Sequence, residues 1–539
     1  MKRALSSALI LLVPAAALQA QRITATLLGD VTDPTGAAIS GAKVTARNTD
    51  TNAERTAQTD EHGAYRIDFV PAGHYDLSVE HPGFRRQTFT GVALDVDQNV
   101  RIDAKLDIGD MLQEVRVQAS VPLVQTDSSS VSSVIERRQV QDLPLNGRQF
   151  LQLALLVPGA TPAPPGSRQA TERGTLSSAI NINGNREGSN LFLIDGTLNT
   201  DPNFNTFVIS PNVDSIQEFR VETNSYSPEF GQQAGGQINL LTRGGANQFH
   251  GSAYEFLRNS SLDAKNLFDR PAPAKTPPFR QNLFGTTLGG RILRDKTFFF
   301  GSYEGLRLVR AQTAIATIPD DLLRAGDFSK RLNAQEQLTP IFDPATTRAN
   351  PAFNSAQPAS PANAQYLRDP FPGNVIPARR IDPIASGILN YVDHPNLGTL
   401  PLGLARFLNN DSLLQHGDQF SVRVDQVISS KDQLFGRYSY SNETLFAPGG
   451  LTTQGTRREP KPQIFTLGET RTLSPTATNE ARLGFTRLRL FIVNKNAYTP
   501  SSALTARKGC RLPPGRFPIS RSATMAFRAS AARTSASRQ

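Results

Sequence analysis

Residues 244–259, GGANQFHGSAYEFLRN, and residues 282–307, NLFGTTLGGRILRDKTFFFGSYEGLR, decide the fold class of this chain. Between Gly251 and Arg258 the rings of Tyr254 and Phe256 fall on one face of an extended segment, with Gly251, Ala253 and Glu255 on the other. A period of two suits a strand whose faces meet different solvents. Only Leu293, Arg294 and Asp295 separate the candidate strand 281–292 from the candidate strand 296–309, so the two read as a hairpin.

Toward the C-terminus, short turns and long loops alternate. A long linker joins 247–258 to 281–292, and about a hundred Pro-rich residues without sustained periodicity precede Phe420. Candidate strands 420–427 and 434–440 are then closed by Ser429-Ser430-Lys431-Asp432. A further long loop with Pro448-Gly449-Gly450 leads to 463–472, and Ser474 to Thr478 turns back toward 480–493. Outer-membrane barrels have short periplasmic turns and longer external loops. Phe420, Val422 and Val424 alternate with Ser421, Arg423 and Asp425, placing aliphatics toward lipid and charges toward a polar lumen. Taken alone, that strand fits a soluble antiparallel sheet with one wet face at least as well.

Upstream, Lys2 and Arg3, the apolar segment Leu5 to Leu18 and the small residue Ala20 read as an export signal over residues 1–20. A buried N-terminal helix is the alternative. No segment approaches 18 consecutive apolar residues, so a helical membrane protein is not expected. With 40 Gly, 37 Pro and one Cys, the composition describes a loop-rich β protein without a disulfide framework. The net charge of +10 is local: the last 33 residues hold eight basic and no acidic side chains, leaving 49 basic against 47 acidic before them. Nucleic-acid binding is therefore not expected.

Residues 22–107 read as a small β-sandwich, with strands near 43–47, 64–69 and 75–80 between turns at Asp33-Pro34-Thr35-Gly36, Asp60-Glu61-His62-Gly63 and Pro71-Ala72-Gly73. Asp95, Asp97 and Asn99 start like a calcium loop but lack its Gly and distal Glu, so no metal is expected. Next, QEVRVQA at 113–119 is an extended apolar-polar alternation that another sheet edge could capture. Residues 132–160 suggest two short helices broken at Pro144, with Phe150, Leu153, Ala154 and Val157 on one apolar face. Asn183-Gly184 and Asp195-Gly196 place polar turn residues at strand ends, and Arg186, Asp195, Glu218 and Arg220 are candidates for polar contacts with a surrounding wall. Ordinary turns in a soluble α/β domain would use the same residues.

Several of these stretches carry a resemblance. GDVTDPTGAAISGAKVTARNT, TDEHGAYRIDFVPAGHYDLSVEHPGF and VRIDAKLDIG resemble a carboxypeptidase regulatory-like domain, a non-catalytic module. INGNREGSNLFLIDG followed by VDSIQEFRVETNSYSPEFGQQAGGQINLLTRGGANQFHG resembles the plug of Oar-like TonB-dependent outer-membrane receptors, and 244–307 resembles the start of their barrel. The resemblance implies a mainly β chain: signal peptide 1–20, sandwich 22–107, linker 108–119, α/β plug 120–245 and an incomplete antiparallel transmembrane barrel over 246–500. It marks Asn183, Gly184, Arg186, Asp195, Gly196, Glu218 and Arg220 as plug-motif residues. Gln113, Glu114, Val115, Arg116 and Val117 resemble a TonB box, the alternatives being a first plug strand or a linker. About seven strands are countable, an odd number that cannot close a single-chain barrel. The tail 501–539 lacks alternation and a terminal aromatic strand, which suggests a truncation or frameshift near Arg507, or else a true basic arm.

The implied function is energy-coupled uptake of an unidentified extracellular ligand across the outer membrane, with membrane lipid and a TonB-type energy-transducing protein as partners. Surface binding or adhesion without transport is the alternative. No G-x-S-x-G, Walker motif or metal-ligand His pair occurs, so neither enzymatic activity nor a cofactor is expected.

Overall fold

The computed structural model describes residues 24–110, 114–118, 130–164, 179–203, 205–226, 231, 233–264, 277–333, 335–398, 404–474, 477–495 and 520–533. The export signal expected at 1–20, Gln113, and residues 501–519 and 534–539 of the tail lie outside these residues.

The N-terminal part is a sandwich of two sheets. In one, Thr24–Thr32 pairs with Ala64–Pro71 and, in parallel, with Asn99–Arg101 and Ala104–Lys105. The other runs Glu54–Gln58, Lys43–Asn48, Gly73–Glu80, Arg86–Leu94, Glu114–Gln118. Period-two sequences bury one face of each sheet, and Leu27, Val44, Leu77, Val79 and Val92 form a fully buried core. The turns close as their residues dictate: Asp33 accepts from the Thr35 and Ala37 amides, and Asp60 from those of His62 and Ala64. Gly63 sits at φ +76°, where a Cβ would also lie 2.6 Å from the Val31 carbonyl oxygen.

Next comes a compact inner unit with a five-stranded mixed sheet: Val131–Glu136, Ile216–Asn224, Gln237–Thr242, Leu191–Ile194, Thr197–Leu198. Gln237–Thr242 is buried throughout, which is why its QINLLT run does not alternate. The expected pair of helices is corrected in kind. Residues 131–136 are strand, Arg137–Asp142 is the only α-helix described in this unit, and Phe150–Leu156 is a 3-10 turn. Phe150, Leu153, Ala154 and Val157 are all buried in the unit's core.

The third part is a long antiparallel sheet in strict chain order: His250–Asn259, Phe279–Leu293, Thr297–Ala311, Ser412–Ser429, Asp432–Pro448, Gly455–Ser474, Ala477–Asn494, Ser520–Arg533. Among the described residues this sheet has eight strands where about seven were expected. The eighth lies in the tail and pairs with Ala477–Asn494, Phe527 opposite Leu483. Ala523, Met525 and Phe527 stand at alternate positions in its sequence, a pattern obscured by the neighbouring arginines. Among the described residues the two edge strands are not paired with each other, so the sheet is open. The strands also run further than their apolar alternation, which leaves only 449–454 where a long loop was expected. Between the third and fourth strands of this sheet, Ala314–Pro319 pairs with Leu404–Asn409, and Asp393 and Asn409 bond to Thr452 and Gly449. Asn374 acts there as a keystone, its side chain bonding Phe328, Thr339 and Ile341 backbones.

The sheet has two distinct faces. Phe420, Val422 and Val424 are 39%, 47% and 39% exposed on the outer one, while Arg423 and Arg437 point inward against the inner unit. The inner face is not uniformly polar: Ile464 and Leu488 join the inner unit's core. The sandwich sits at the short-turn end, where Asn52 donates to Asp295 (2.9 Å) and Arg55 to Gln433 (3.3 Å) and Thr472 (3.5 Å).

Because Glu114–Gln118 completes the sandwich sheet and Val117 packs on its core, a fragment of residues 22–118 should melt about 4–8 °C above one of residues 22–107. That is the shift that ~1 kcal/mol gives in a domain of this size. Thermal circular dichroism of the two fragments checks it, and equal melting temperatures would show that the strand adds nothing.

Candidate functional site

Leu191–Ile194 and Thr197–Leu198 form a hairpin whose two turn residues, Asp195 (φ +46°) and Gly196 (φ +69°), both adopt the left-handed conformation. An Asp-Gly pair is among the few dipeptides that do so cheaply in a two-residue hairpin. The turn delivers Asp195, wholly buried, to the wall. Its carboxylate meets the Arg437 guanidinium (Nε–Oδ2 2.6 Å) and that of Arg423 (Nη1–Oδ1 3.4 Å), and accepts from the Thr242 amide (2.8 Å) and hydroxyl (2.6 Å). Arg423 is also held by Asp425 at 2.8 Å. Burial alone would push the Asp195 pKa up, but the two arginines and the Thr242 donors outweigh it and hold the carboxyl below its usual range.

The rest of the hairpin lies against the same strands. The Thr197 and Thr466 hydroxyls are 2.8 Å apart, and the Thr486 hydroxyl donates to the Leu198 carbonyl at 2.6 Å. Gly484 is required by this approach, since a Cβ there would lie 2.7 Å from the Thr197 methyl. A second contact places the Arg148 guanidinium 4.7 Å from the ring centroids of both Tyr254 and Phe256 while it pairs with Asp214. The aromatic face of the opening strand is thus turned toward the inner unit.

Of the four polar residues expected to reach the wall, Asp195 does so. Glu218 and Arg220 instead meet the sandwich: Val96 donates its amide to Glu218 (2.5 Å), and Arg220 donates to the Val96 (3.1 Å) and Asp97 (2.6 Å) carbonyls. The Val96 side chain, fully buried, packs with Leu241 and Phe435. Arg186 is exposed at a turn. Asn183 (φ +51°) and Gly184 (φ +70°) form another, tied by Asn183 to the Thr223 carbonyl at 2.6 Å. Glu114, Val115, Arg116 and Val117 lie in the strand beside Arg86–Leu94. Around the keyed points a cleft of about 1910 Å³, lined by Asn48, Arg55, Arg138, Gln141, Gln248 and Arg423 among others, separates the sandwich from the rest. Among the described residues, no group of three or more His, Cys, Asp or Glu is placed to hold a metal ion.

Sequence reading missed the wall's half of this site. Arg423 was legible as an inward charge, but its meeting with Arg437 and Asp195 depends on register across two hairpins.

Asp195→Asn should leave Arg437 buried and uncompensated, lowering the opening free energy of the 191–198 hairpin by about 3–5 kcal/mol. Hydrogen exchange of those amides measures it, and the loss should be strongly non-additive with Arg437→Gln. Glu218 behaves oppositely: burial first, then the nearby Asp95, raises its pKa from 4.5 to about 8. A carboxyl with a raised native pKa contributes stability fully present below 4.5 and lost as pH rises through about 8. Docking of the sandwich turn should therefore weaken between pH 6 and pH 8.5, roughly the upper limb of that window. Glu218→Gln, which keeps an acceptor for Val96, should flatten the dependence. Exchange of the Val96 amide, corrected for the intrinsic rate, reads both.

Comparison with known proteins fits this architecture. Residues 241–537 match the family described as outer membrane beta barrel domain, and residues 26–107 the carboxypeptidase regulatory-like domain. The TonB-dependent transporter Oar of Myxococcus xanthus is 28% identical over 272 residues, covering 48% of this chain and 24% of that protein. The chain thus spans about a quarter of that relative's length. Among solved structures, the outer membrane transporter YddB from Escherichia coli aligns with a TM-score of 0.42 and 10% identity over 67% of this chain and 39% of that one. The siderophore receptor PirA from Acinetobacter baumannii aligns with a TM-score of 0.32 and 14% identity over 68% and 49%. The chain belongs to the outer membrane beta barrel domain family, and is an outer-membrane protein whose wall sheet follows a carboxypeptidase regulatory-like sandwich.

Proposed function

We propose that this chain acts in TonB-dependent uptake across the outer membrane, with the inner unit as the plug of the wall and Glu114–Gln118 as the strand through which a periplasmic TonB-type protein engages it. The observation that carries this reading is the position of that strand. It is the last strand of its sheet, it precedes the unit that fills the wall, and its sandwich is bonded to the short-turn end of the wall at Asp295, Gln433 and Thr472. Outer-membrane barrels direct short turns to the periplasm, where an energy-transducing partner resides. The polar lock at Asp195 supports the same reading, since ion pairs and hydrogen bonds can exchange for water as a plug shifts, whereas a continuous apolar seam resists it.

The transported ligand belongs to the external side, where the described residues between 312 and 411 form an excursion, closed by the pairing of Ala314–Pro319 with Leu404–Asn409, that is suited to recognition. That excursion is equally what an adhesion protein would use, and adhesion needs no coupling strand. Val115→Pro separates the readings, because proline removes a backbone donor and breaks strand pairing. Capture of a purified TonB C-terminal domain by the full chain should fall about tenfold, the effect of roughly one lost backbone hydrogen bond. Unchanged capture would favour adhesion.

A further inference from the structure

The sandwich sheet ends on Glu114–Gln118, which pairs in parallel with Arg86–Leu94, Arg86 opposite Glu114 and Thr90 opposite Gln118. Among the described residues no other strand pairs with its outer edge. The segment is half-embedded rather than loose. Val115 and Val117 are partly buried, Val117 against the sandwich core, while Glu114, Arg116 and Gln118 are exposed and the first two pair at 3.1 Å. Removing the strand would strip cover from that core and open the edge of Arg86–Leu94. Adding to its free side removes nothing and satisfies backbone groups that already point outward.

The sandwich is also mechanically connected. Its 95–98 turn is fixed to the inner unit's Ile216–Asn224 strand by three hydrogen bonds, from Val96 to Glu218 and from Arg220 to the Val96 and Asp97 carbonyls, and by the buried Val96 side chain. Elsewhere the cleft separates the two bodies.

Resting on the reading of Glu114–Gln118 as the coupling strand, we propose that the TonB-type partner adds its strand to the outer edge of Glu114–Gln118 while that strand stays paired with Arg86–Leu94. Sandwich, coupling strand and partner then form one continuous sheet. A pull on that sheet reaches the inner unit through the 95–98 turn as well as along the chain, which makes the sandwich a lever rather than a passive spacer.

The experiment clamps the internal pairing. Thr88 and Arg116 are register partners, so Thr88→Cys with Arg116→Cys, in a Cys510→Ser background of the full chain, allows a disulfide between the two strands. Binding of the purified TonB C-terminal domain should agree within about threefold between the oxidised and reduced forms. A loss of about tenfold or more on oxidation would mean that the strand must leave the sandwich, overturning the proposal. Hydrogen exchange of the unsubstituted chain gives a second reading that does not depend on the clamp. The Arg86–Leu94 amides should keep their protection when the partner binds, and their deprotection would likewise overturn it. If Val115→Pro leaves binding by the unclamped chain unchanged, the coupling-strand reading itself fails and the inference with it, an outcome distinct from failure of the clamp.

Discussion

Across the wall sheet Arg423 stands in register with Arg437, both turned inward and both shielded from water. Two like charges directly opposite on one face of an antiparallel pair repel, and burial removes the solvent that would screen them. Asp425 relieves one of them from within the wall, but the arrangement is completed only by Asp195, which belongs to a different sheet. Wall and inner unit therefore depend on each other electrostatically. Around this point the packing is close: a Cβ on Gly484 would lie 2.7 Å from Thr197, and Gly196, at φ +69°, faces the guanidinium of Arg482.

The sandwich is attached by different chemistry. One of its bonds to the inner unit joins a backbone amide to a buried glutamate whose surroundings favour the proton-bearing form, with Glu222 close by and raised in the same direction by burial and by Asp97. The lock at Asp195 favours the charged form instead, because cations face it. Neutralising conditions thus act in opposite senses on the two junctions. The inner unit is gripped most firmly where the sandwich is gripped least.

The legible parts of the fold were those in which period-two patterning and turn chemistry coincide. Tyr254 and Phe256, Phe420 through Val424, the Asp33 and Asp60 turns and the Asp195-Gly196 hairpin all declared themselves locally. The strand ends did not, because Gly455 to Pro462 and Ser441 to Pro448 mix proline and charge and give little alternation while still pairing in the sheet. The last strand was hidden by arginines. Within the candidate site, Asp195 stood out as a turn residue, yet its partners lie 228 and 242 positions away and are set by register, which no local pattern reports. The destination of Glu218 and Arg220 was illegible for a similar reason: nothing near residue 218 indicates that a sandwich turn at residue 96 will arrive there.

Ile464 and Leu488 close the hydrophobic core of the inner unit, and Thr466 and Thr486 cap its hairpin across separations of 269 and 288 residues. During synthesis and export the inner unit therefore emerges long before the strands that finish it. Contacts of such sequence separation form late and slowly, and until they form the apolar side of the unit stands open to misassociation. It cannot behave as a prefabricated cork pushed into a finished cylinder. Wall and contents must mature as one object, and an escort that shields the unit between residues 130 and 242 until the later strands arrive would act on the most vulnerable stage of biogenesis.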